Sequence, residues 1–327
     1  MVIFLIKEIV GMKILVTGGA GFIGSNVTDA YIEAGHEVVV VDNLYTGKRE
    51  NLHPEAKFYL MDIRALEIHK LLEYEKPEVI NHHAAQISVP ASVEDPGFDA
   101  SVNIEGFINL LEGARRVGTR KVIFISSGGA IYGEAEEYPT SEGYSPQPLS
   151  PYAIAKAVSE NYLHFYEHQY GLNYTILRYS NIYGPRQIPH GEAGVVAIFM
   201  DRFLENKPGT LYHFPSEPEG MIRDYCYVGD IVEANILAIE AGNKKAVNIG
   251  TGKETRTQAL FETIFDVISR RLPLDNSLRT PDRTFARPGD LKKSCLKIDL
   301  AEEVLGWKPK TVLSEGIEKT LDWRIGQ

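Results

Sequence analysis

KILVTGGAGFIG, residues 13–24, joins a short apolar run to a glycine-rich turn that includes Gly18, Gly21 and Gly24. The run reads as a strand and the segment after the turn as a helix. Glycines at this junction let backbone pass close to backbone and leave the first amides of the helix facing outward, a ready site for an anion. Similar short, largely β-branched runs recur at 36–43 (HEVVVVDN), 57–63 (KFYLMDI), 77–85 (PEVINHHAA), 121–127 (KVIFISS) and 173–180 (NYTILRYS). They lack the alternation of half-exposed strands, so the spacing predicts parallel strands buried on both faces. Helical stretches lie between them, which predicts an α/β fold: a doubly wound parallel sheet of the Rossmann kind with right-handed crossovers. The stretch 101–118, SVNIEGFINLLEGARRVG, has helical spacing and ends on a glycine suited to a C-cap.

Beyond about residue 180 the alternation fades and Pro and Gly become frequent, as in GPRQIPHGEAG and FPSEPEG. The sequence therefore divides into a nucleotide-binding domain, 12–180, and a smaller mixed substrate-binding region, 181–327, with 246–252 (AVNIGTG) returning toward the main sheet. Such a region is expected at the carboxyl ends of the strands, where open α/β sheets bind ligands.

Composition narrows the class. The chain has 327 residues, 44% of them hydrophobic, and a formal net charge of -10, which fits a globular enzyme-sized protein and excludes a general nucleic-acid binder. Cys226 and Cys295, the two cysteines, are far apart and lack metal-site spacing, which fits a reducing, cytoplasmic setting without disulfides or metal. The opening MVIFLIKEIVG is too short to span a membrane and is broken by Lys7 and Glu8. MKILVTGG from Met12 reads as the natural beginning, with residues 1–11 an extension ahead of it.

Asp42 follows Gly24 by 18 residues at the end of the second strand. A carboxylate there holds a ribose diol and repels a 2'-phosphate, which favours NAD over NADP despite Lys48 and Arg49 nearby. Asp62, after the third strand, is placed to reach the adenine. His82 and His83 end the fourth strand with no acid or cysteine to complete a metal site, so they read as pocket wall. In LSPYAIAKAVSE, Ser150 is a suitable N-cap, Pro151 a suitable first residue, and Tyr152 and Lys156 share a helix face. An ammonium beside a phenol favours phenolate, so the pair suits a general base. Seventeen tyrosines in 327 residues make one such spacing an expected coincidence, so its meaning rests on its surroundings.

Those surroundings form an ordered series: TGGAGFIG, VVDN, MDI, HAAQ, VNIEG, ISSGGAIYG, SPYAIAK, RYSNIYGPRQ, RDYCYVGD, VNIGTG and RPGD. From Met12 to the C-terminus the chain resembles the extended short-chain dehydrogenase/reductase family, and within it the nucleotide-sugar epimerases, the UDP-glucose 4-epimerase group in particular. The resemblance implies NAD held by Gly18, Gly21, Phe22, Ile23 and Gly24, by Asp42 and Asn43, by Asp62 and Ile63, and by Ala84, Ala85, Gln86, Asn103 and Lys156. It implies Tyr152 as acid/base, with Lys156 depressing its pKa and Ser127, with Ser126 in reserve, bonding the reacting hydroxyl. It implies a UDP-sugar gripped by Asn181, Arg223, Arg287 and Asp290. Ser294, small where the family uses bulk to limit room, implies space for an acetamido group and hence for UDP-N-acetylhexosamines.

Gly128, Gly129 and Ala130 stand where related dehydratases and decarboxylases carry acids, which disfavours both. UDP-glucuronate 4-epimerase and a non-catalytic NAD or sugar-nucleotide sensor are the alternatives. The family implies a homodimer through helices 101–118 and 152–170, whose apolar faces IEGFINLL and AVSENYLHFY suit such an interface and suit internal core equally.

Overall fold

The computed structural model describes residues 11–189, 194–287 and 289–326. The strands are β1 (Lys13–Thr17), β2 (Glu37–Asp42), β3 (Lys57–Leu60), β4 (Val79–His82), β5 (Lys121–Ser127), β6 (Asn173–Tyr179), β7 (Asn181–Tyr183), β8 (Thr210–His213), β9 (Ile222–Arg223), β10 (Tyr225–Tyr227), β11 (Lys245–Ile249), β12 (Thr255–Arg256) and β13 (Asp282–Phe285). The helices are α1 (Phe22–Glu33), α2 (Glu67–Glu75), α3 (Val89–Glu94), α4 (Pro96–Ala100), α5 (Gly106–Val117), α6 (Pro151–Tyr170), α7 (Val195–Leu204), α8 (Val228–Ala238), α9 (Thr257–Ser269), α10 (Asp299–Leu305) and α11 (Leu313–Ile325).

Seven strands form one sheet in the order β11-β6-β5-β4-β1-β2-β3. Every pairing in it is parallel. Strand side chains alternate between two cores. Ile14, Val16, Val38 and Val40 face the side covered by α1 and α8, whereas Leu15, Val39 and Val41 face α2 and α5. Burial on both faces explains why these strands read as unbroken apolar runs. Connections leave β1 and β4 in opposite directions, so a crevice opens between their carboxyl ends. The segment around 246–252 joins the main sheet as β11 beside β6.

The later part of the chain builds a third core, with Phe199, Phe203, Phe261 and Phe265 packed among α7, α9 and α11. Three two-stranded sheets tie it to the loops that follow the main strands.

The expected helix over 101–118 is corrected in one respect. Helical backbone begins earlier, with α4, and Ser101–Glu105 form a π-helical turn before α5. Gly118 closes α5 in the left-handed conformation, φ 75°. Of the two readings of its apolar face, internal core holds for most of it: Phe107, Leu110 and Leu111 are fully buried. On α6, Leu163 and Tyr166 are also internal, while Ile154, Phe165 and Tyr170 face outward. No helix among the described residues is long and apolar enough to cross a membrane, and residues 1–10 lie outside those described.

Candidate active site

A cavity of about 620 Å³ follows the crevice at the carboxyl ends of the sheet. One end is lined by Asp42, Asn43, Asp62, Ile63 and Arg64, the other by Ser127, Tyr152, Lys156 and Asn181, with Gly18 to Gly24 and His83 to Gln86 between.

The glycines are there for contact reasons. Gly18 has φ +70°, and a Cβ on it would stand 2.6 Å from the Ala84 nitrogen. On Gly24 a Cβ would stand 2.3 Å from the Gly18 oxygen, so helix and turn pack backbone to backbone. Gly21 opens α1 without a side-chain cap, leaving the helix N-terminus facing the cavity.

Asp42 is buried. One carboxylate oxygen accepts from the Ala20 amide at 3.0 Å and the other from the Leu44 amide at 2.7 Å, while burial raises its pKa. Lys48 pairs with Glu50 at 3.2 Å and Arg49 lies 5.4 Å over the Phe58 ring, so both nearby cations are engaged elsewhere. Asp62 accepts from Arg64 and Asn43, and the Arg64 guanidinium holds it down at about 2. Together these features form a glycine cradle and a helix N-terminus for a pyrophosphate, with an acid for a ribose diol, and they fit NAD.

At the inner end Ser150 caps α6, its hydroxyl accepting from the Ala153 amide at 3.2 Å. Lys156 Nζ donates to the Ile125 carbonyl at 2.9 Å and lies 5.9 Å from the Tyr152 ring centre. The Tyr152 hydroxyl bonds Ser127. Ser126, the reserve, faces the other way and donates to Glu160.

The expected depression of the Tyr152 pKa is not produced by the protein's own groups. Burial pushes the phenol up to about 12, against which the Ser127 bond is the one lowering influence. Burial acts on Lys156 in the opposite sense and lowers it to about 8. Both changes favour the uncharged forms.

His82 is core, bonded to the Thr17 hydroxyl at 2.7 Å and stacked on Phe107, and only His83 reaches the cavity. Burial lowers His83 to about 3, so it is neutral. Asn103 lies behind Gln86 rather than at the cavity surface: its amide exchanges hydrogen bonds of 3.0 Å with the Gln86 backbone.

Of the residues assigned to the sugar nucleotide, Asn181 lines this end of the cavity and Ser294 lies beside it, whereas Arg223, Arg287 and Asp290 are not among the residues lining it. A Cβ added to Gly129 would lie 3.6–4.0 Å from Asn181 Oδ1, Ser294 Oγ and Ser127 Oγ, so these three polar groups face one small space. Ser294 is fixed there by its amide, which donates to the Ile222 carbonyl at 3.0 Å. Arg223, next in sequence, donates to the carbonyls of Ile222 (2.9 Å) and Leu291 (2.8 Å). Its guanidinium is thus positioned by main chain while its charge is left for a ligand. Arg287 stacks 4.5 Å over Tyr212 and pairs with Asp290 at 3.3 Å.

The structure adds residues the sequence did not single out. Asp224 is fully buried and accepts from Thr251 and Gly252, tying the loop after β9 to the loop after β11. Arg178 and Glu160 form a buried ion pair that also holds Ser126 and Tyr132. Asp99 is buried behind Gln86. Their types carried no signal because burial of a charge is decided by distant segments.

A crystal structure of Thermotoga maritima UDP-glucose 4-epimerase with UDP-glucose matches with TM-score 0.91 and 46% identity, covering 96% of this chain and 99% of that one. The Thermus thermophilus UDP-glucose 4-epimerase complex with NAD matches with TM-score 0.89 and 44% identity over 96% and 99% of the two chains. UDP-glucose 4-epimerase of Mycolicibacterium smegmatis is 44% identical, covering 95% of this chain and 98% of that protein. The family model for the NAD dependent epimerase/dehydratase family matches residues 14–250, from β1 to the end of β11, and with the glycine cradle, Asp42 and the Tyr152–Lys156 pair in one cavity, the chain belongs to that family.

Proposed function

We propose that this chain interconverts UDP-glucose and UDP-galactose at C4 of the sugar, using bound NAD, in galactose metabolism. The observation that carries the reading is the convergence of Ser127, Asn181 and Ser294 on the space beside Gly129, next to Tyr152. The cradle of Gly18, Gly21 and Gly24, with Phe22, Ile23, Asp42, Asn43, Asp62, Ile63 and Ala84 to Gln86, would hold NAD, and Lys156 would hold its nicotinamide ribose. When bound, NAD accepts the hydride from C4 and returns it to the opposite face. Tyr152 takes the proton of the 4-hydroxyl and later gives it back; Ser127 holds that oxygen in line. Arg223 and Arg287 meet the diphosphate, and Asp290 meets a ribose hydroxyl, so the nucleotide is fixed while the hexose is free to turn over.

Gly128 has no room for an acid, since a Cβ there would stand 2.6 Å from Leu296 Cδ1, and this argues against dehydration. Ser294 leaves space beside Gly129, which supports acceptance of UDP-N-acetylhexosamines. Ile154, Phe165 and Tyr170, each close to half exposed along α6, support a homodimer, which Phe165→Glu would convert to monomer in sedimentation.

The test is incubation of the protein with UDP-galactose and catalytic NAD, without another redox partner, followed by NMR. Conversion to UDP-glucose that Tyr152→Phe abolishes supports the reading. Tight NAD binding with no conversion of any UDP-sugar would replace it with a sensor.

A further inference from the structure

Asp99 is 1% exposed and stands behind the cavity wall. Its Oδ1 accepts from Gln86 Nε2 at 2.9 Å and from Asn103 Nδ2 at 3.0 Å. Asn103 lies in the π-helical turn, and its carbonyl accepts from the Ser159 hydroxyl at 3.1 Å. Ser159 follows Lys156 by three residues and shares its face of α6. The Asp99 cluster is therefore packed against the face that carries Lys156. Asp99 Oδ2 is buried and has no hydrogen-bond partner among the described residues. Lys156 Nζ, with three donors, bonds the Ile125 carbonyl.

We propose that Asp99 is a positioning residue, the counter-charge that holds Lys156 as an ammonium beside Tyr152. The inference rests on the reading of Tyr152 and Lys156 as the working pair. Other charged or titratable groups face Lys156 from each side. Glu160, one turn on along α6, is committed to Arg178 through both carboxylate oxygens. His82 and His83, at the end of β4, are kept neutral by burial. Tyr152 is held uncharged. Asp99 and Glu160 both support the ammonium against burial, and of the two it is Asp99 that keeps a carboxylate oxygen without a hydrogen-bond partner among the described residues.

The experiment uses full-length protein with NAD bound and lysine carbon-labelled at Cε, with Lys156 assigned through Lys156→Arg and titrated by NMR. Asp99→Asn keeps the size and the acceptor for Gln86 and Asn103 but removes the charge. The expected result is a Lys156 midpoint lowered by about one pH unit, with Asp99→Glu restoring it. An unchanged midpoint in a folded Asp99→Asn protein would overturn the proposal. Where that variant does not fold, the wild type decides: the Asp99 carboxyl carbon should show an inflection at the Lys156 midpoint, and a flat trace there would equally overturn it. Neither readout depends on epimerisation, so this idea and the functional reading fail separately.

Discussion

Gly18→Ala separates two costs that a glycine-rich turn conceals. At φ +70° an alanine carries the left-handed penalty of about 1–2 kcal/mol. Its Cβ would also stand 2.6 Å from the Ala84 nitrogen, 2.8 Å from the His83 carbonyl carbon and 2.9 Å from the Ala84 Cα. All three are backbone atoms at the end of a central strand, which have no rotamer by which to yield. Relief requires a backbone displacement of several tenths of an ångström, and overpacking of this kind costs about 1–3 kcal/mol. The total is about 2–5 kcal/mol, shared between lost stability and a displaced cofactor wall.

Gly35→Ala supplies the control. It has φ +86° with nothing within 4 Å of an added Cβ, so it pays the backbone penalty alone. Urea unfolding of both variants without NAD, and calorimetric titration with NAD, distinguish the components. Gly35→Ala should lose about 1–2 kcal/mol and bind NAD normally, whereas Gly18→Ala should lose more and bind NAD at least about tenfold more weakly. If the two variants unfold alike and bind NAD alike, the close approach of β1 and β4 backbones does not shape the cofactor site, and the reasoning fails.

Glu160→Gln leaves the Arg178 guanidinium buried without its anion; equilibrium unfolding should show a loss of about 3–5 kcal/mol. Arg223→Gln should weaken UDP binding at least about tenfold in calorimetry while NAD affinity stays unchanged, because a half-buried, main-chain-positioned guanidinium has no substitute for a diphosphate. Asp62 is held at about 2 against an ordinary value of 3.8, so it adds stability that is complete above about pH 4 and is lost as pH falls through about 2. Asp62→Asn should therefore show a smaller drop in unfolding midpoint between pH 5 and pH 2 than the wild type.

The fold and the glycine turn after β1 were legible because local signals coincide with the global arrangement there. A parallel strand buried on both faces must be apolar throughout, and position 24, where an added Cβ would stand 2.3 Å from the Gly18 oxygen, must be glycine. The return of β11 was visible in AVNIGTG for the same reason. The helix faces proposed for dimerisation were less legible, since Phe107 and Ile154 are both apolar helix residues and only packing decides that one is covered and the other open. Asp99, Glu160, Arg178 and Asp224 were illegible because each is a charge buried by contacts 13 or more residues away or by a neighbour one turn off. The π-helical turn was hidden too: SVNIEG has ordinary helical spacing, and the turn is sustained by Ser159 from another helix.

The electrostatics of the inner site carry the argument one step further. Burial moves Tyr152 up to about 12 and Lys156 down to about 8, so at neutral pH the protein by itself holds Tyr152 as the neutral phenol while Lys156 still keeps its proton. A phenol in that state is a poor base at neutral pH, and nothing on the protein side except Ser127 opposes the shift. On the proposed reading a further positive charge would come with oxidised NAD, whose nicotinamide ring is cationic; such a charge near Tyr152 would favour phenolate, and without it the phenol would be favoured again. Tyr152 would thus be basic when a hydroxyl proton has to be removed and acidic when a ketone oxygen has to be reprotonated. On this account burial of the pair is useful: in a solvated site the same cofactor charge would be screened, and the swing in basicity would be too small to follow the redox state.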